Sequence, residues 1–475
     1  MISCWWELGH QRSGAVLVVG MVARMLGCGG IEAGVERGAD RCTTTQTTCG
    51  SLCCDPTEKC VSDACLARER SPSCEENQTQ CGPSCCDSHT QECVDDACVA
   101  REVSPRCEEN ETACGSSCCG LQPKVAMGTA HTCVVTSKGG AKCWGFGEDG
   151  QLGNGSTVYQ DGPAQVLGLD SGVIAIDASD HNSCAILEGG RLLCWGANDD
   201  HQLGAGVSGG QLAPVQVFGL EVGVVSVSCG IRRTCAVTSE GKTFCWGDRY
   251  SGPSPHGGPR DAPQEIDGLP FALAVSVGAG HICALTADRE VFCWGENGSG
   301  ALGNGSVGGG WSYVPGKVIG LDSGVVAISA GWAHTCAVTS EGGVMCWGAN
   351  DKGQLGDGTT VGSGVPTRVN GLDSGVSALG SAFEFSCAVT IQGKAKCWGA
   401  NYLGQLGDGT TEAASVPKQV KGLESGAVSV AGGWVRACAV TSLGELMCWG
   451  LAARNSPLYA PPGPVSLASP VPGIE

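Results

Sequence analysis

The chain has 475 residues, enough for several domains, and carries 28 basic against 47 acidic side chains for a net charge of −19. Only 16% of its residues are charged, while 77 are glycine and 33 are cysteine. Without clustered Lys and Arg such a chain is a poor partner for phosphate backbones, so no nucleic-acid partner is expected and the acidity serves solubility. So many cysteines at regular spacings argue for an oxidising compartment.

Residues 1–28 offer a route to one. Arg12 precedes the apolar run Ala15–Ala23, and Met25-Leu26-Gly27-Cys28 follows. A basic start, a short apolar core and a small residue before a cleavage point describe a secretory signal. The run is too short to span a bilayer, and no other stretch reads as transmembrane. Met25-Leu26-Gly27-Cys28 also resembles a bacterial lipobox, although Met25 stands where Leu is usual and Arg24 interrupts the apolar core. That resemblance implies lipidation of Cys28 and, with Gly29 after it, attachment at the outer membrane or cell surface. The plainer alternative is an ordinary signal peptide with Cys28 incidental and a secreted product.

Residues 29–41 read as a polar linker. From 42 to 120 a cysteine-rich unit repeats. Cys42, Cys49, Cys53, Cys54, Cys60 and Cys65 are matched by Cys74, Cys81, Cys85, Cys86, Cys93 and Cys98. Cys107, Cys114, Cys118 and Cys119 begin a third, truncated copy. Units this small cannot bury an adequate core, so disulfides are expected to supply most of their stability, with connectivity left open. Zinc is the competing use of clustered cysteines. The absence of repeated CxxC pairs speaks against it, and no metal is assigned. The modules read as a stalk.

From residue 121 to the end a longer repeat takes over. Seven cysteine pairs, each ten residues apart and followed by Trp-Gly, recur at intervals of 48 to 53 residues. They are Cys133/Cys143, Cys184/Cys194, Cys235/Cys245, Cys283/Cys293, Cys336/Cys346, Cys387/Cys397 and Cys438/Cys448. A period near 50 residues marks a propeller or solenoid. Around Ser340-Glu341-Gly342 two apolar runs face each other across a three-residue loop of the kind that favours glycine at its last position. Arg289 alone replaces that glycine, so strain or a different turn is expected there. Folding the hairpin about Glu341 opposes Cys336 with Cys346, close to the separation a disulfide needs. Apolar residues on both faces call for burial on both faces. Runs such as Val325–Gly331 and Pro366–Leu372 complete four strands per unit, giving an all-β, seven-bladed propeller. Cys229 is left over and reads as a buried thiol.

The full pattern runs from Gly331-Trp332-Ala333-His334-Thr335 through Trp347-Gly348 to Gly353-Gln354-Leu355-Gly356-Asp357-Gly358. It resembles the regulator of chromosome condensation repeat, over residues 124–475, and that resemblance implies the same seven-bladed fold. Blades 3 and 7 depart from it. Asp248–Pro263 and Leu451–Pro464 are proline-rich where the Gln-Leu-Gly element belongs. The founder of the family exchanges guanine nucleotide on a nuclear GTPase and binds chromatin, partners an exported disulfide-bonded chain would not meet. Secreted bacterial relatives include an inhibitor of β-lactamases.

The links before each first cysteine differ most between repeats. They are expected to ring one mouth of the propeller with Arg232, Arg233, Trp332, Phe383, Phe385, Trp434 and Arg436, residue types enriched among interface hot spots. The alternative is that the aromatics plug the channel and that His131, His281 and His334 hold loop backbone. Asn350, Asp351 and Asp357 suggest calcium, but Asn, Asp and Gly are also ordinary turn formers and the spacing lacks an EF-hand's alternation. No GxSxG, HExxH or phosphate loop is present, so no enzyme and no cofactor are expected. The reading is an exported, lipid-anchored monomer, meeting membrane through its anchor only, whose rim binds a protein or glycan. Exchange-factor activity, inhibition of a secreted enzyme and a purely structural role are the alternatives.

Overall fold

The computed structural model describes residues 125–248, 260–451 and 468–474, together with the backbone pairing of short strands between 47 and 119. The signal, Cys28 and the 29–41 linker lie outside the described residues. The chain divides into two compact units, Met1–Arg101 and Glu102–Glu475. In the first, four two-stranded hairpins run from Thr47 to Ala100. Their register sets Cys60 opposite Cys65 and Cys93 opposite Cys98.

In the second unit, seven four-stranded antiparallel sheets follow one another along the chain. We number them as blades 1 to 7. Their first strands are Val125–Met127, Val173–Ala178, Val224–Cys229, Ala272–Val277, Val325–Ala330, Val376–Ser381 and Ala427–Gly432. These seven strands surround a central channel of about 570 Å³, so the strand nearest the axis is the one before each first cysteine. Blade 1 meets blade 7 through a shared core in which Val125, Met127 and Trp144 pack with Cys438, Val440 and Cys448. The Lys142 ammonium also donates to the Gly473 carbonyl at 2.8 Å, tying the two ends of the ring together.

Blade 5 shows the local logic. Its central hairpin opposes Cys336 with Cys346, Ala337 with Met345 and Val338 with Val344. The same register recurs in every blade, and all seven expected cysteine pairs are disulfide-bonded. Cys133 bonds to Cys143, Cys184 to Cys194, Cys235 to Cys245 and Cys283 to Cys293. Cys336 bonds to Cys346, Cys387 to Cys397 and Cys438 to Cys448. Their Cα atoms are 4.0–4.1 Å apart throughout. The two faces of a hairpin go to different neighbours. Cys336, Val338, Val344 and Cys346 pack on Ala388 and Trp398 of blade 6. Ala337 and Trp347 pack on Cys283, Leu285 and Cys293 of blade 4. Each blade therefore completes the core of the next, which is why no single hairpin is stable alone.

One expectation changes and another settles on one of its two options. The fourth strand of blade 5 is Ser363–Arg368 rather than Pro366–Leu372. Val369 and Leu372 leave the sheet and turn inward, 1% and 2% exposed, so their apolar character reflects a plug beneath the blade. At the hairpin tip of blade 4, Arg289 keeps the turn that glycine makes elsewhere. Its φ is 63°, against 76° for Gly342, so the strain option holds, at about 1–2 kcal/mol.

Candidate functional site

The links between first and second strands bring seven residues to one mouth of the channel: Thr129, Asp180, Ile231, Ala279, Trp332, Phe383 and Trp434. Backbone bonds between neighbouring blades hold this collar. Ala279 N–H donates to Trp332 O (3.2 Å), and Trp332 N–H donates to Ala382 O (3.1 Å). On blades 5, 6 and 7 the aromatics form a continuous arc. The Trp332 and Phe383 ring centroids are 4.4 Å apart and those of Phe383 and Trp434 are 5.6 Å apart, both pairs tilted. Trp332 is 43% and Trp434 48% exposed. Tilted packing joins the three rings while leaving both indoles partly exposed.

The remaining arc is made of the smaller Thr129, Asp180, Ile231 and Ala279, with charged pairs around the mouth on several blades. The Asp180 carboxylate is half-buried, and burial raises its pKa above the usual carboxylate value. Its neighbour His181 turns to Asp149 at 2.8 Å, and Arg232, 65% exposed, sits 3.5 Å from Asp200. Glu384 accepts from the Tyr402 hydroxyl at 2.9 Å, and Lys352 pairs with Asp351 at 2.7 Å. Deeper in the channel wall, Asp177 accepts the Cys229 N–H at 2.6 Å. It stands where Ser228, Ser276 and Ser329 each accept a backbone N–H from the following blade. Burial pushes its pKa up to about 6, against hydrogen bonds that pull it down. Cys229 itself is buried, and burial raises its thiol well above the ordinary pKa, so it stays a protonated thiol and a poor nucleophile.

Residues 163–456 match the model of the RCC1-like domain, and residues 139–186 match the regulator of chromosome condensation (RCC1) repeat. The chain belongs to the RCC1-like domain family. The ultraviolet-B receptor UVR8 of Arabidopsis thaliana is 30% identical over 69% of this chain and 76% of its own length. The human E3 ubiquitin-protein ligase HERC2 is 31% identical over 63% of this chain, which spans only 5% of that ligase. Among solved structures, yeast RCC1 (Prp20) bound to Kap60 superposes with a TM-score of 0.61 at 19% identity, covering 75% of this chain and 85% of that one. At that identity the likeness speaks for the fold alone.

The RCC1-like motif residues are latches between blades. The Gln354 carbonyl of blade 5 accepts the Trp398 indole N–H of blade 6 at 2.9 Å, and Gln151, Gln202 and Gln405 serve the next blade's Trp in the same way. A Cβ at Gly356 would lie 2.7 Å from the Trp398 indole nitrogen, so the motif needs glycine there. The three motif histidines reach Ser183, Thr335 and Ser386 of the following blades, each at 2.8 Å through Nε2. Each hydroxyl spends its hydrogen on a carbonyl of Gln151, Ala301 or Gln354. It therefore accepts from the imidazole, which fixes the Nε2–H tautomer. Burial pushes His131 and His281 down to about 3 and His334 to about 4. These histidines are neutral fasteners.

The disulfide cysteines belong to the blade bodies, and none lines the mouth. Cys143, Cys194, Cys245 and Cys397 are each fully buried, sharing a core with Trp195, Trp246, Trp294 and Trp449 of the following blade. They staple the scaffold beneath the collar rather than furnish its contact surface.

Of the residues expected on the rim, Trp332, Phe383 and Trp434 line the mouth, and Arg232 is exposed beside the lining residue Ile231. Arg233, Phe385 and Arg436 do not line it, at 4%, 0% and 6% exposure. Each begins a second strand, in the slot His334 fills in blade 5, and points into the blade body. Arg233 pairs there with Asp248 at 3.1 Å and lies over the Trp311 ring. In the blade 5 loop the Asn350 amide gathers the turn. Its Oδ1 accepts the Leu355 N–H and its Nδ2 donates to the Asp357 carboxylate. Among the described residues no cluster of three or more His, Cys, Asp or Glu side chains is arranged to hold a metal. Sequence reading missed Asp177 and Asp180. Aligning the seven first strands by position exposes Asp177, because it replaces the serine of three other blades.

Proposed function

We propose that this protein is an exported, lipid-anchored binding module that holds a protein partner against the mouth of its propeller and catalyses no reaction. One observation carries the reading. Trp332, Phe383 and Trp434 form a contiguous aromatic patch with both tryptophans more than two-fifths exposed. Soluble proteins cover such area, and buried aromatics of this kind dominate interface energetics. Relatives of the fold give support, since the yeast structures pair a propeller of this fold with Kap60 and concern binding to Gsp1p and histones. Seven buried disulfides favour export, and Cys28 is the proposed attachment point.

The test begins with full-length protein from its native host. Intact mass before and after reduction is expected to report an acylated N-terminal Cys28 and one free thiol. Partners cross-linked in the envelope are then compared between wild type and Trp332→Ala/Trp434→Ala. The double variant is expected to weaken the complex at least tenfold, as loss of central aromatic anchors does. A partner held equally by both forms overturns the binding site. An unprocessed chain with reduced hairpin cysteines overturns export and returns a GTPase-exchange role to first place.

A further inference from the structure

The aromatic arc occupies blades 5, 6 and 7, and Asp180 belongs to blade 2. In a ring of seven blades the place opposite blade 2 falls between blades 5 and 6, so Asp180 and the aromatic arc stand on opposite sides of the same mouth. No hydrogen bond or ion pair to a described residue engages it. The cations around the mouth are committed elsewhere: His181 to Asp149, Arg232 to Asp200 and Lys352 to Asp351. A half-buried carboxylate whose one cationic neighbour, His181, is itself paired with Asp149, set across the mouth from partly exposed aromatic rings, is complementary to one kind of group. That group has a long apolar or planar stem and a positive head, because aromatic faces attract cations and a partly desolvated carboxylate favours a charged hydrogen-bond donor. The protein's net charge of −19 favours the approach of a basic partner from a distance.

We infer that the mouth is a receptor for a lysine or arginine side chain presented by the partner, stacked on Trp332, Phe383 and Trp434 and paired with Asp180. This rests on the binding-module reading and adds the chemistry that the partner must display. The small residues of the opposite collar, Thr129 and Ala279, leave room for the stem to enter along the axis.

The experiment titrates the full-length protein by calorimetry at low salt with four blocked pentapeptides, Gly-Gly-X-Gly-Gly, in which X is Arg, Lys, Gln or Glu. Arg or Lys peptide is expected to bind saturably and at least tenfold more tightly than Gln or Glu peptide. Raising the salt to about 200 mM is expected to weaken it several-fold. Asp180→Asn and Trp332→Ala should each reduce the affinity at least fivefold, while Glu341→Gln, which removes an exposed acid at the blade 5 hairpin turn, should leave it unchanged. Thermal melts of each variant confirm that the fold is intact. No saturable binding by either basic peptide overturns the inference, as does equal binding of the Gln peptide or undiminished binding by Asp180→Asn. A partner complex that needs Trp332 and Trp434 yet ignores Asp180→Asn overturns the cation receptor and leaves the binding module standing.

Discussion

At the scale of single residues, the most informative side chain is an exception. Trp195, Trp246, Trp347, Trp398 and Trp449 each donate an indole N–H to a carbonyl of the preceding blade at 2.8–2.9 Å. Trp294 of blade 4 is as buried as they are, at 1% exposure, and its Nε1 has no acceptor among the described residues. The preceding blade is blade 3, whose sequence lacks the Gln-Leu-Gly element that would supply one. A buried unmade N–H bond costs about 1–3 kcal/mol, whereas a made one contributes about 1 kcal/mol net. Replacing Trp by Phe removes the same ring volume at both kinds of site, so the comparison isolates the polar group. Trp347→Phe is expected to destabilise by about 2–4 kcal/mol more than Trp294→Phe, read from the difference in denaturant midpoints at unchanged slope.

At the scale of elements, the unit is the stapled hairpin. Its bridge closes a loop of about ten residues, for which chain entropy alone gives about 3 kcal/mol. Both sulfurs of blade 5 are fully buried against Trp398 and Val369 of the neighbouring interface. Cys336→Ala/Cys346→Ala is therefore expected to lower stability by about 3 kcal/mol or somewhat more. Mild reductant should leave all seven bridges intact until denaturant opens the ring. Alkylation and mass analysis of the folded protein check the second point. A hairpin bridge that reduces readily in native buffer would contradict the buried geometry.

This element was legible in the sequence because strand pairing has a period of two. Ten residues about a three-residue loop oppose Cys336 with Cys346 unless a bulge shifts the register by one, and this hairpin carries no such shift. What was misread lies where that period does not apply. Arg233, Phe385 and Arg436 are each the first residue of a strand and enter the blade body, while the residues two positions earlier, Ile231, Phe383 and Trp434, still belong to the turn and line the mouth. Where the strand began was not visible in the link. Asp180 escaped notice for another reason: its meaning depends on which blade stands across the channel, and that is set only when the ring closes.

At the scale of the whole molecule, ring closure makes stability depend on pH through the interfaces. His131 fastens blade 1 to blade 2, His281 blade 4 to blade 5, and His334 blade 5 to blade 6. Burial holds all three below the ordinary histidine value of 6.5. The unfolded chain takes up these protons as pH falls below about 6.5 and the folded chain does not. The stabilising difference is thus complete above that pH and is lost as acid approaches the folded values of about 3 to 4. Asp177 runs the other way. With its folded pKa raised to about 6, it favours the native state most below its unfolded value and penalises it as pH rises through 6. Three imidazoles enclosed between blades outweigh one carboxyl, so the histidines decide the sign. Stability is expected to be greatest near neutral pH and to fall steadily from about pH 6.5 to 4. Each histidine contributes up to about 3 kcal/mol of that loss. Blade 2 already uses Asn182 in the same slot, where it reaches Thr234 at 3.5 Å, so His334→Asn keeps a hydrogen-bonding side chain without a proton site. The variant should lose some stability near neutral pH but show a slope between about pH 6.5 and 4 smaller by about a third, measured by calorimetric melting across that range. An unchanged slope would mean that the acid sensitivity lies in surface carboxylates rather than in the fasteners of the ring.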